Sequence, residues 1–221
     1  MGTKASNISE IYDILRDRIL TCRYQPGQLI FEKDIVNEFQ VSRTPIREVL
    51  NILNGEGLVK IIPKKGIMIS HLSIKTAKQI NEIRRILEPL VINQAVNNIK
   101  ADGIEQLNNF ENTLRSSFDS NKAMDVFDHG IDIYTYITNL TKNETLISTL
   151  KWLREESYRV CTYYFIQFMD VSMDAEIEEV RKKIIDIHIK IVEALRAKSE
   201  QEAIRYVIMD IDTFNLYARN Y

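Results

Sequence analysis

From Ile8 to Cys22 the apolar residues Ile8, Ile11, Tyr12, Leu15, Ile19 and Leu20 recur at the spacing of one helix face. Pro26-Gly27 breaks the pattern with a turn. A shorter periodic stretch, roughly Glu32–Phe39, puts Ile35, Val36 and Phe39 on a buried side. Gln40-Val41-Ser42 interrupts it, and the spacing predicts a further helix from about Arg43 to Asn54. Ser42 is placed to cap that helix, and Pro45 falls in its first turn, where a missing N–H is not needed. Gly55 and Gly57 end it. Two apolar-rich runs follow, Leu58–Ile62 and Ile67–Ser70, joined through Pro63-Lys64-Lys65-Gly66, which predicts a β-hairpin with a basic tip. Helix, helix, sharp turn, helix and hairpin make the plan of a winged helix-turn-helix, assigned to residues 1–72.

Beyond Ser73, which can cap the next helix, strand signals nearly vanish, and the only later punctuation is Pro89, Gly103 and Gly130. Amphipathic stretches succeed one another at roughly 73–98, 102–118, 121–140, 143–169, 174–197 and 199–219, with Pro89 placed to kink or split the first. Polar breaks such as Asp119-Ser120-Asn121 and Lys198-Ser199-Glu200 supply the connections. The expected fold is mostly α: a small winged helix-turn-helix, then an all-helical antiparallel bundle over residues 73–221.

Composition changes this picture little. With 221 residues, 45% apolar and 27% charged, the chain reads as an ordinary globular protein. No apolar run approaches the roughly 20 residues that span a bilayer, and no signal-peptide pattern opens the chain, so a cytoplasmic protein with no membrane partner is expected. Met1–Ser6 fits the N-myristoylation pattern, a consensus too loose to outweigh this. Cys22 and Cys161 lie far apart in segments that read as helices, as two small core residues rather than a disulfide. The net charge is -2, but residues 1–70 carry 10 Lys and Arg against 8 Asp and Glu, so the basic excess sits at the N-terminal end.

The most specific stretch is Val41-Ser42-Arg43-Thr44-Pro45-Ile46-Arg47-Glu48-Val49-Leu50. A recognition helix lays its N-terminal residues against base edges in the major groove. Arg43 and Arg47 are four apart and share a face, and each can donate two parallel hydrogen bonds to guanine O6 and N7. Ser42 and Thr44 sit at the positive end of the helix dipole, which favours phosphate oxygens. Lys33 would flank the same groove. Lys64, Lys65 and Gly66 at the hairpin tip would enter the neighbouring minor groove, the glycine permitting close approach. Two arginines on one face are also the ordinary mark of a solvated helix; the order of helix-turn-helix, proline-started helix and basic wing is what favours DNA.

Residues 8–70 resemble the DNA-binding domain of the GntR superfamily, through Ile19-Leu20, Pro26-Gly27-Gln28-Leu29, the Val41–Leu50 stretch, Leu53-Asn54-Gly55-Glu56-Gly57-Leu58-Val59 and Pro63-Lys64-Lys65-Gly66. The resemblance implies a sequence-specific transcription regulator in which Lys33, Arg43, Arg47 and the wing work on DNA. Phe31-Glu32-Lys33-Asp34 departs from the more usual start of the second helix. The remainder resembles the FCD effector domain of the FadR-type branch, anchored on Glu82–Leu90, Leu140–Leu146 and Ile185–Leu195.

Many FCD domains hold a divalent metal through an Asp, a His four residues later and two further histidines, and the metal can take an effector's carboxylate. Matching on Asn143 and His188 places those positions at Gly130, Tyr134, His188 and Asp210, so His188 alone is retained, with Asp210 as a substitute ligand. No metal or other cofactor is therefore expected, unless waters or the nearby Asp128, His129 and Asp132 compensate. The resemblance implies instead an effector site of Arg84, Tyr134, His188 and Asp210. Arg84 has two readings, an i,i+4 pair with Glu88 or a clamp for a carboxylate effector. His188 reads equally as a hydrogen-bonded histidine inside the bundle. Tyr158, Tyr163, Tyr164, Phe165 and Phe168 line either a cavity or the core.

Catalysis finds no support in three scattered histidines (His71, His129, His188) without a phosphate-cradling loop or nucleophile elbow. The expected partners are a double-stranded DNA operator, a small-molecule effector and a second copy of the chain, because one recognition helix covers too few base pairs. The alternative keeps DNA binding but leaves the helical domain with dimerisation only.

Overall fold

The computed structural model describes residues 8–118, 125–169 and 175–217. The chain divides into two compact units, at Ser73 and Ile74.

In the first unit α1 (Ile8–Leu20), α2 (Glu32–Phe39) and α3 (Arg43–Gly55) pack with strands β1 (Leu29–Ile30), β2 (Val59–Ile62) and β3 (Gly66–Ile69). Ile11, Leu15 and Ile19 of α1 meet Ile35 and Phe39 of α2 and Ile46, Val49, Leu50 and Leu53 of α3 in one buried cluster, closed by Leu58, Val59, Ile67 and Ile69. Gln40 ends α2 in the left-handed conformation (φ 54°, ψ 40°), which makes the sharp turn into α3. Ser42 stands at the N-cap of α3 but makes no side-chain cap hydrogen bond, so the sequence expectation holds for its position and not for its hydroxyl. The sheet has three antiparallel strands in the order β1-β3-β2, with Ile30 opposite Ile67 and Val59 opposite Ile69. β1 extends the predicted hairpin; two residues carry too little alternation to read as a strand. An ion pair from Arg18 on α1 to Glu38 on α2 (2.9 and 2.5 Å) ties the two helices, and its hydrogen bonds lower the Glu38 carboxyl below its ordinary range.

The second unit is helical throughout its described residues: α4 (Ile74–Asn98), α5 (Ala101–Ser117), α6 (Asp125–Asn139), α7 (Glu144–Met169), α8 (Ala175–Arg196) and α9 (Glu200–Tyr217). α4 runs unbroken through Pro89, against the expectation that the proline could split it. A helix held on both sides by packing survives one lost backbone bond. The turns into α7 and α9 are tight. Lys142 and Lys198 adopt positive φ (55° and 54°), and the Asn143 side chain accepts the Leu146 N–H (3.1 Å) to cap α7. α9 packs against α8 and α4, α8 also against α5, and α7 against α4 and α6. The core runs along these seams through Val91, Ile92, Leu107, Ile133, Ile137, Leu150, Ile185, Ile191, Leu195 and Val207.

Candidate functional site

Ile46, Val49, Leu50 and Leu53 anchor α3 in the first core, which turns Arg43, Thr44 and Arg47 outward; all three are exposed, as is Ser42. The two arginines differ in one respect. The Arg47 Nε donates to both carboxylate oxygens of Glu32, at 3.1 Å each, and Glu32 is the first residue of α2. Lys33, next to it, is exposed with its ammonium over the Phe31 ring at 5.8 Å. Lys64 and Lys65 are exposed at the turn between β2 and β3, which the Lys65 N–H closes onto the Ile62 carbonyl (3.0 Å). Gly66 has φ 125°, and a Cβ there would lie 2.8 Å from the Ile30 carbonyl oxygen. A need for glycine therefore already follows from strand packing within the unit, whatever approaches the turn from outside. The first unit thus presents a cationic helix face and a cationic hairpin tip on elements anchored in its core.

In the second unit Arg84, Tyr134, His188 and Asp210 come from four helices to the wall of one cavity of about 80 Å³. Tyr134 donates its hydroxyl to Asp210 Oδ2 (2.8 Å), and His188 Nε2 donates to Asp210 Oδ1 (3.1 Å). Burial pushes the Asp210 carboxyl up, but His188, Arg84 and the Tyr134 hydroxyl outweigh it and hold it below its ordinary range. Burial, reinforced by Asp210 and Glu88, keeps the Tyr134 phenol well above its usual range. His188 Nδ1 is buried with no hydrogen-bond partner.

Arg84 does pair with Glu88 (Nε to Oε1, 3.2 Å), but both are buried, and Arg154 on α7 takes the same carboxylate through two hydrogen bonds, one of 2.9 Å. The pair is therefore one of two ion pairs in a buried triad rather than a surface i,i+4 contact. Arg84 Nη1 also donates to Ser157 Oγ (3.3 Å), and Arg154 Nη1 donates to Thr138 Oγ1 (2.6 Å) and the Tyr134 carbonyl (2.9 Å). Burial raises the Glu88 carboxyl, and the two guanidinium groups reverse this and hold it below 4.5. Arg154 was missed from the sequence. Its signal was position: it follows Leu153 in the stripe Leu146, Leu150, Leu153, Ser157, where a charge needs a buried partner.

The four positions matched to metal ligands offer a divalent metal two donors of the usual kind, His188 and Asp210. Gly130 offers no ligand, and a Cβ there would lie 2.6 Å from His188 Cε1, so the imidazole fills the space a longer side chain would occupy. The two remaining donors, His188 and Asp210, are bonded to each other. Among the described residues no three His, Cys, Asp or Glu side chains are grouped to hold an ion. Asp132 is exposed; the side chain of Asp128 lies outside the described residues, as do those of Tyr164, Phe165 and Phe168. Tyr158 lines the cavity. Cys161 does too, and burial pushes its thiol up to about 12, so it stays a thiol. Both cysteines keep some exposure, Cys161 with its thiol turned into the cavity among the helices, and Cys22 follows α1 at φ 55° instead of lying in a helix.

A model of the gntR family of bacterial regulatory proteins matches residues 7–69, and one of the FCD domain matches residues 79–212. The uncharacterised HTH-type transcriptional regulator YdhC of Bacillus subtilis (strain 168) is 22% identical over 200 residues, 90% of this chain and 85% of that protein. The HTH-type transcriptional repressor RspR of Escherichia coli (strain K12) is 27% identical over 151 residues, 68% of this chain and 66% of RspR. The solved structure of McbR/YncC from E. coli superposes with a TM-score of 0.79 over the full length of both chains at 16% identity, a likeness of fold.

Proposed function

The chain belongs to the GntR family of bacterial transcription regulators, with an FCD domain behind its winged helix-turn-helix, and from that premise we propose that a small carboxylate effector sets its affinity for a DNA operator. The regulator is a cytoplasmic homodimer, and twofold pairing doubles the short site that one α3 can read. Arg43 and Arg47 read base edges. Ser42, Thr44 and Lys33 contact the flanking backbone, and Lys64, Lys65 and the turn at Gly66 enter the minor groove. The observation that carries this reading is an exposed cationic front of α3 together with an exposed cationic hairpin tip, both on elements anchored in the first core.

In the helical unit Arg84 is the group that takes the carboxylate. Its contact with Ser157 is long at 3.3 Å, so an anion can replace it, whereas Arg154 is held at 2.6 to 2.9 Å by several partners. Effector binding then competes with Glu88 for Arg84. Both lie on α4, the helix that follows the DNA-binding unit directly in the chain, so a shift in α4 is the natural route to operator affinity. No metal takes part in this scheme, and no catalysis is involved.

A second reading, in which the helical unit serves dimerisation alone, draws on one observation: the charges around the cavity already satisfy one another. Operator binding measured while two- to four-carbon carboxylates are titrated, with and without a chelator, separates the two. Coupling that survives the chelator supports the sensor, and no coupling with any acid leaves the dimerisation role. Rising salt tests the DNA reading. A sequence-specific component must persist after random-duplex affinity collapses.

A further inference from the structure

Arg47 and Arg43 stand one turn apart on the same exposed face of α3, yet among the described residues only Arg47 is held by a carboxylate. Its Nε lies 3.1 Å from both oxygens of Glu32; the Arg47 side chain is 63% exposed and that of Glu32 26%. An exposed pair of this kind stabilises a fold very little. What it does do is restrict the guanidinium. With the Nε edge engaged, the only remaining edge with two parallel N–H donors is the end formed by Nη1 and Nη2. A bidentate contact to guanine O6 and N7 needs two such donors. The rotamer freedom that a loose arginine would lose on meeting a base is partly lost beforehand. Glu32 also sets a negative charge beside the cationic face, and that charge opposes attraction to any phosphate backbone whatever its sequence.

We propose that Glu32 is a positioning residue for sequence reading: it presents Arg47 end-on to one base pair and holds down non-specific DNA affinity. This rests on the DNA-binding reading above. Glu32 has a structural alternative, since a carboxylate in the first turn of α2 interacts favourably with the helix dipole, and the test separates the two.

The full-length chain first selects its preferred sequence from a randomised duplex pool. Affinities for that sequence and for a scrambled duplex are then measured between about 50 and 200 mM salt. The proteins compared are the parent, Glu32→Gln, Glu32→Asp, Arg47→Ala and the Glu32→Gln/Arg47→Ala double variant. Glu32→Gln is expected to bind the scrambled duplex more tightly and to steepen its log–log salt slope by about one. It should lower the specific-to-scrambled ratio by roughly 5- to 20-fold, losing preference at the base pair that Arg47→Ala also relaxes. Glu32→Asp should retain most of that ratio, and in the Arg47→Ala background Glu32→Gln should change no base preference. A ratio unchanged in Glu32→Gln, or both affinities moving together, overturns the proposal in favour of a simple electrostatic or scaffold role. A change of preference that persists without Arg47 overturns it in favour of direct contact between Glu32 and DNA. If the parent itself selects no sequence, the DNA-reading assignment fails first, before any variant is compared.

Discussion

In the first unit Arg43 and Arg47 stand on the outer face of α3, whereas in the helical unit Arg84, Arg154 and Arg181 are buried. Each of these three is matched, and a fourth buried arginine, Arg159, pairs with Glu156 (2.8 Å). Arg84 and Arg154 share Glu88, and Arg181 pairs with Glu178 and donates to the Ser117 and Phe118 carbonyls at 2.6 and 2.9 Å, closing the end of α5. The same side chain thus has two physical lives. Exposed, it costs little to keep and carries charge that an outside polyanion can meet. Buried, it is tolerated only with its counter-charge, and the pair becomes part of the architecture. Loss of an outer arginine should therefore damage recognition and spare the fold, while loss of a partner inside should damage the fold first.

The largest effect should come from Glu88→Ala, which strands two buried guanidinium groups. A loss of about 3–5 kcal/mol in unfolding free energy is expected by urea denaturation. A loss below about 1 kcal/mol would mean that water reaches the triad and that the contrast with α3 is weaker than drawn. The same carboxylate sets an acid limit. Its folded value lies below the unfolded 4.5, so its stabilisation is fully present above that value and is lost as pH falls through the folded one. The parent should lose stability below about pH 4.5, and Glu88→Gln should show less of that acid-dependent loss. Next comes Gly130→Ala. Its methyl group would meet His188 Cε1 at 2.6 Å, and overpacking of this kind costs about 1–3 kcal/mol, read in the same unfolding experiment. Full parental stability would show that the imidazole has room to move.

On the outer face, Arg43→Ala should leave unfolding within about 0.5 kcal/mol of the parent. It should cost about 1–3 kcal/mol at one base position and relax specificity there. Unchanged sequence preference would remove Arg43 from base reading. The smallest effect belongs to Lys65→Ala, expected to weaken binding to all duplexes alike and to flatten the salt slope by about one. A change confined to one sequence would instead give the wing a reading role.

The helices were legible because each buries one periodic stripe, and among the described residues the predicted ends fall close to those observed; the break at Asp119-Ser120-Asn121 and the ends expected at 121, 174 and 219 lie outside those residues. The outer face of α3 was legible for the same reason: Ile46, Val49 and Leu50 declare its inner side and so expose Arg43 and Arg47. The partner of Arg47 was not, because Glu32 lies 15 residues away on another helix and a single acidic residue carries no sign of its contact. β1 escaped for want of length, and Arg154 because an arginine inside a long amphipathic helix looks solvated until its neighbours are placed. The close approach of the Ile30 carbonyl of β1 to Gly66 was not legible either, because it joins strands far apart in the sequence.

By itself the order of residues determined where helices and the hairpin lie, which side of each turns inward, and the family resemblance, since periodicity and turn chemistry act over a few neighbouring positions. Only the tertiary structure decided that Arg84 and Arg154 share one carboxylate, that His188 and Asp210 bond to each other beside Gly130, and that Glu32 holds Arg47. These are contacts between separate helices. Their strength depends on distances of a few ångströms and on exclusion of water, and neither quantity exists until the chain has closed on itself.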